Sequence, residues 1–295
     1  MTEPTDRDAG DETEATAGES YADPSDLERA LEGLVGEPGE KIDIAEAALL
    51  LAALDRPRVG LDRYREQLTE MTQATEGLAA CIDANAAATM LVETVAKSFG
   101  FRGDDLTYDD LQNANLIRVI DRRKGLPVAL GILYLHVGRA HGWNMAGTNF
   151  PSHFLVSVEG KRSRALIDPF AGRVPEGAND VRTFLKVVAG KDAELTPDQV
   201  APMSDRGVLL RLQNNIKARL AAQEKFADAA KVATRMVRLA PLNWQLARDA
   251  ALLHARAGSY RAAQALLNGF AARNPAPEDR IAAEKLATKL GQALH

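Results

Sequence analysis

Apolar residues recur along this chain with two periods, and the switch between them outlines its architecture. Ile42, Ala45, Leu49 and Ala52 keep helical spacing, and Arg56-Pro57 closes that element. A second helical region runs from about Leu61 to Phe99 with a break near Thr75–Gly77. In it Leu78, Ile82, Ala86, Thr89 and Leu91/Val92 form the expected apolar stripe, with Cys81 beside it. Asn115 to Ile120 reads as a short helix. Val128 to Ala140 is apolar on nearly every side, which predicts a helix enclosed by other elements. Pro127, one position earlier, suits a first helical turn, where no N–H donor is needed.

From Ser152 the period becomes two. Ser152–Val158 and Arg164–Asp168 read as strands, joined through Glu159-Gly-Lys-Arg162 by a two-residue turn with Gly160 at positive φ. That turn pairs Phe154 with Ile167, Val156 with Ala165 and Leu155 with Leu166, and sets His153 directly across from Asp168. A carboxylate in that position accepts the imidazole N–H, fixes its tautomer and raises its basicity. Such pairs serve as structural hydrogen bonds more often than in catalysis, so a third group has to decide. Residues 174–206 then read as a linking region with Pro175, Pro197 and Pro202 and one short helix, Val181–Val188.

Beyond the link the chain repeats itself. Phe226 and Tyr260, Ala229 and Ala263, and Pro241 and Pro275 are each offset by 34 residues. An aromatic, a small residue three later and a proline closing the second helix, at that period, mark tetratricopeptide repeats. Leu209–Leu220 is expected to supply the first helix of the stack and Ile281–Leu290 to cap it.

Four motifs carry a family resemblance: Arg123-Lys-Gly-Leu-Pro-Val-Ala-Leu130, Gly138-Arg-Ala-His-Gly142, Phe150-Pro-Ser-His-Phe-Leu-Val156 and Ile167-Asp-Pro-Phe170. Together they resemble the transglutaminase-like domain of bacterial SirB-type proteins. The resemblance implies a papain-like Cys–His–Asp arrangement, with the cysteine opening a helix and the other two on neighbouring strands. His153 and Asp168 match the second and third members, and the cysteine position falls at Pro127. Papain-type chemistry needs a thiolate activated by a helix N-terminus and an imidazole, and proline has no thiol. Ser152 and Arg173 depart from glycines usual in the family, and Ser152, on the opposite strand face from His153, is a poor substitute nucleophile.

The implied fold class is α+β: a transglutaminase-like (papain-like) domain with a helical N-terminal portion over residues 25–195, then an all-α tetratricopeptide-like repeat region over 207–295. Residues 1–24 read as a disordered acidic tail. Residues 1–40 carry thirteen acids against two arginines, so the overall charge of −5 hides a body with 28 acids and 34 bases. Those bases are dispersed without interleaved aromatics, which argues against nucleic-acid binding. No apolar run approaches membrane-spanning length and the N-terminus lacks signal-peptide character. One cysteine excludes an internal disulfide and fits a reducing cytoplasm. Among other candidates, Asn115 (or Asn113), Arg123 and Gly125 could line the pocket, with the basic run 122–124 beside a helix start. Cys81 reads as a core residue. His136 and His141 lack ligand partners at helical spacing, so no metal and no cofactor is expected. Two functions remain: a non-catalytic scaffold or regulator binding a protein or peptide through the repeats, or an amide or ester hydrolase or acyltransferase using His153–Asp168 with another nucleophile.

Overall fold

The protein, seen in a computed structural model, is described for residues 23–36, 41–151, 153–194 and 196–292. Of the tail expected to be disordered, residues 1–22 lie outside the described ones, as does Ser152, while Asp23 and Pro24 instead open a helix. Helix α1, Pro24–Val35, forms where the sequence reading places no helix. Asp23 caps it, Pro24 presets its first turn, and Leu27, Leu31 and Val35 bury one stripe. Acidic residues around those three apolar positions obscure the period.

Helices α2 (Ile44–Ala53) and α3 (Asp62–Gln73) follow, then a 3-10 turn (Glu76–Ala80) and α4 (Ala84–Val92). The stripe expected through Ile82 and Thr89 is not formed, because Ile82 is 93% exposed. Asp83 caps a fresh helix instead, and Ala84, Ala87, Ala88 and Leu91 face inward. A short parallel pair, β1 (Arg102–Gly103) with β2 (Lys124–Gly125), flanks α5 (Leu116–Arg122).

Helix α6, Pro127–Ala140, is the central pillar. It packs against α2, α3, α4 and α5, and nearly all its side chains are buried. Its face toward the sheet is cut back to glycine: a Cβ on Gly131 would stand 2.4 Å from the Phe154 ring, and one on Gly138 would meet Met145. The helix can therefore lie close against an antiparallel sheet of order β5-β4-β3-β6, built from β3 (Asn144–Thr148), β4 (Val156–Glu159), β5 (Arg164–Ile167) and β6 (Pro202–Met203).

The hairpin β4–β5 corrects the expected register by two residues. Val156 pairs with Ile167 and Val158 with Ala165, and the connection is the four residues Gly160–Ser163, closed by the Gly160 N–H on the Ser163 carbonyl at 2.8 Å. Gly160 does not take a positive φ. An even shift keeps each side chain on its expected face, so Val156, Val158 and Ile167 still point to the core. His153 becomes a diagonal neighbour of Asp168 rather than its direct opposite.

The stretch read as a linker is largely built into this first unit. Helix α7 (Gly177–Ala189) covers the outer face of the sheet, where Val181 and Leu185 pack with Phe150 and Leu155, and β6 extends the sheet beside β3. Among the described residues five helices follow: α8 (Asp205–Ala222), α9 (Phe226–Leu239), α10 (Trp244–Arg256), α11 (Tyr260–Ala272) and α12 (Pro277–Gln292). Each packs on the next, and Ala229 and Ala263 are fully buried where the helices approach. Helix α8 also packs against α2, α6 and β3, so one apolar core runs from α1 to α12.

Candidate active-site cleft

Three pieces of chain meet at the head of α6. The first is the loop from Thr148 to Leu155. Its Phe154 ring is wedged between Gly131 on α6 and Gly147 on β3, where a Cβ on either glycine would stand 2.4 Å away. Arg211 of α8 reaches across, donates to the carbonyls of His153 and Phe150, and lies 5.6 Å over the Phe154 ring. These contacts hold the backbone that carries His153.

The second piece follows β5. Asp168 and Arg173 exchange backbone hydrogen bonds of 2.9 and 3.2 Å across a tight loop in which Gly172 takes φ +60°. Asp168 is buried. Its Oδ1 accepts from the Phe170 and Ala171 N–H groups, each at 3.1 Å, and from His153 Nε2 at 2.9 Å. Burial alone would raise its pKa, but the His153 bond and charge together with the two backbone donors outweigh it and hold the carboxyl below its ordinary value. With Nε2 committed to the carboxylate, Nδ1 is the basic nitrogen of the neutral ring. Phe170 sets the ring plane, standing edge-on to His153 at 6.2 Å and to Tyr108 at 5.8 Å. Gly103 gives it room, since a Cβ there would stand 2.5 Å from the Phe170 ring.

The third piece is the helix start itself. Leu126, Pro127, Val128 and His153 form one wall of a cavity of about 570 Å³, and Leu210, Arg211, Asn214, Met236 and Leu246 from the repeat helices form the other. At Pro127 there is no sulfur and no exchangeable proton. Cys81 stands elsewhere: it follows the turn whose Leu78 carbonyl accepts the Trp143 indole N–H at 2.9 Å, beyond the far end of α6. That end is about 20 Å from Pro127 along a helix rising 1.5 Å per residue. Cys81 is half-buried, and its Sγ lies 3.9 Å from the Gly77 carbonyl.

Other residues read as pocket candidates serve the scaffold, and none of them lines this cavity. Asn115 caps α5 through the Arg118 N–H and donates to the Ala52 carbonyl at 3.1 Å. Asn113 bonds Thr107 and Arg122. Arg123 ends α5 in the left-handed region with its guanidinium 4.7 Å over the Phe101 ring. Gly125 pairs with Gly103 in the short parallel ladder, beneath Val119. Within the basic run, Arg122 pairs with buried Asp104 at 2.7 Å. His141 lies 3.1 Å from the Thr75 hydroxyl and 2.9 Å from the Thr72 carbonyl. Burial lowers the pKa of His136. Among the described residues no three His, Cys, Asp or Glu side chains gather as a metal site. Arg211 and Asn214 escape the sequence reading. Their one available signal is that they interrupt an otherwise apolar pattern of Val208, Leu209, Leu212 and Ile216.

The start of α6 and a histidine bonded to Asp168 thus line one cavity. The model of the transglutaminase-like superfamily matches residues 60–214. The chain belongs to the transglutaminase-like superfamily. A tetratricopeptide repeat model matches residues 216–288, directly after the transglutaminase-like part. Among similar curated proteins are the bacterial UPF0162 proteins, to which the SirB-type resemblance leads. That of Xylella fastidiosa is 30% identical over 168 residues, 55% of this chain and 59% of the relative. The match thus spans about three fifths of that relative's length. The UPF0162 protein of Pseudomonas aeruginosa is 29% identical over 222 residues, covering 73% and 77%. The crystal structure of menin overlaps 88% of this chain and 68% of its own at 14% identity and a TM-score of 0.40, too loose a likeness to bear on function. Among the described residues no helix is long and apolar enough to cross a membrane.

Proposed function

We propose that this chain is a non-catalytic member of its superfamily, a scaffold or regulatory protein of the cytoplasm that holds a protein or peptide partner. One observation carries the reading: a proline heads the helix that opens on the cavity beside His153. Acyl transfer starts with a nucleophile attacking a carbonyl carbon, and the papain-type nucleophile is a thiolate whose proton passes to the imidazole. Pro127 supplies neither sulfur nor proton. Cys81 stands at the wrong end of α6. His153 and Asp168 can orient a proton, but without an attacking atom no acyl intermediate forms.

The repeats supply the other half of the proposal. Stacked helix pairs present extended grooves for peptides. Here Val237, Leu266, Arg235 and His254 of the repeat helices, with Glu28 of α1 and Leu54 beside α2, line a groove of about 580 Å³. A hydrolase using activated water is the second reading, favoured by the intact 2.9 Å bond between His153 and Asp168. A thiol-reactive probe and general amidase and esterase substrates, applied to wild type, His153→Ala and Cys81→Ala, separate the two. We expect labelling at Cys81 alone and no turnover in any variant. Hydrolysis present in wild type and lost in a folded His153→Ala protein would replace the scaffold reading by the hydrolase.

A further inference from the structure

We infer that the cavity between the head of α6 and helix α8 is a carboxylate-binding site that takes the C-terminus of an extended peptide. The inference deepens the non-catalytic reading and rests on it only in that the peptide is held rather than cleaved.

Arg211 is the starting point. Its guanidinium is half-buried, yet its partners are all neutral: the carbonyls of Phe150 and His153, the carboxamide of Asn149 and the Phe154 ring. Several arginines at comparable depth have a carboxylate: Arg122 has Asp104, Arg139 has Asp205, Arg219 has Asp109 and Arg235 has Asp55. Two others have none. Arg206 faces the carbonyl ends of α1 and α9, where the helix dipoles are negative, and Arg123 lies over the Phe99 and Phe101 rings away from the cavity. Arg211 faces a cavity instead, and no Asp or Glu lines it. A cation withdrawn from water without a counter-ion favours an anion beside it, and the opening is where that anion has room.

The opposite wall points the same way. Helix α6 begins at Pro127, and the preceding Leu126 offers no side-chain cap, so the N–H groups after the proline in its first turn lack a capping acceptor at the cavity's edge. A carboxylate between these walls would meet Arg211 from one side and the helix start from the other.

The remaining surface fits a chain behind that carboxylate. Asn149 and Asn214 present exposed carboxamides, able to donate to and accept from a peptide backbone. Leu126, Val128, Met203, Leu210, Met236 and Leu246 offer an apolar slot for a side chain. The volume, about 570 Å³, lies within the usual range of ligand pockets.

The test uses the full chain, immobilised, and a pooled hexapeptide library in two forms, with free C-terminal carboxylates and with the same C-termini amidated. Retained peptides are read by mass spectrometry. The free-acid pool is expected to be retained at least about tenfold better than the amidated one. Arg211→Gln should abolish the difference. Because Arg211 also braces its loop, the deciding variant is Asn214→Glu, an exposed change that puts a carboxylate inside the cavity and leaves every Arg211 bond in place. It should weaken retention of the free-acid pool by about tenfold. Equal retention of the two pools, or an unaffected Asn214→Glu protein, overturns the site. Amidated peptides selected for Asp or Glu would overturn the chain-end assignment and make the ligand an acidic side chain. Peptides retained through the cavity but recovered shortened would leave the site standing and remove the non-catalytic reading, so the two failures are distinguishable.

Discussion

Pro127 and His153 line one cavity, and at the scale of single residues the first prediction measures how that setting acts on a thiol. Pro127→Cys puts a thiol on the first turn of α6, where the helix dipole and an imidazole both favour the thiolate. Iodoacetamide at pH 6, followed by mass spectrometry, should label Cys at 127 about tenfold faster than Cys81, and His153→Ala should remove most of that advantage. Equal rates would mean that the proline looks away from the ring. Asp168 allows a second prediction. Its folded pKa lies below the ordinary 3.8, so its contribution to stability is present above that value and is lost as pH falls through the folded pKa. Urea unfolding at pH 7, 5 and 3 should therefore show a steeper loss below pH 4 for wild type than for Asp168→Asn. The residues most visible in the sequence were those in local motifs, His153, Asp168 and Pro127. Arg211 was not, because its partners lie 58 and 61 positions away and nothing near it in the chain announces them.

Among the elements, α6 and the β4–β5 hairpin show what periodicity can and cannot convey. An all-apolar run headed by proline was enough to expect α6, since a helix buried on every side needs no polar face. The hairpin's face alternation was equally legible. Its register was not, because the turn is fixed from outside: Ser163 Oγ accepts the Ala84 N–H at 2.9 Å, pinning the connection to the start of α4. A glycine at 160 suggested the tighter turn, and a contact 79 residues distant selected the wider one. The same blindness applied to α1, whose three buried apolar residues are outnumbered by charges. Gly131 tests the helix-to-sheet contact. Gly131→Ala drives a methyl into the Phe154 ring and should destabilise the protein by about 1–3 kcal/mol in chemical denaturation, despite alanine's better helix propensity. A neutral or stabilising result would show that Phe154 can move aside, and with it the loop carrying His153.

Taken whole, the molecule does not divide where its sequence motifs do. Helix α8 begins the repeat stack, yet Val208, Leu209 and Leu212 are buried in the core shared with α2 and α6. Further ties cross the same boundary. Arg206 bonds the Val35, Gly36 and Leu239 carbonyls, Arg235 pairs with Asp55, and Arg238 pairs with Glu28. Calorimetry should show one cooperative unfolding transition for the full chain. Two resolved transitions would mean that α8 sides with one half and merely leans on the other.

A helix with two obligations cannot be inherited by only one of its neighbours. Grafting these repeats onto a different carrier, or fitting a foreign array behind Ser204, would require both faces of α8 to be rewritten together. The face left without its counterpart would strand Arg211 in open water and unroof the chamber it closes.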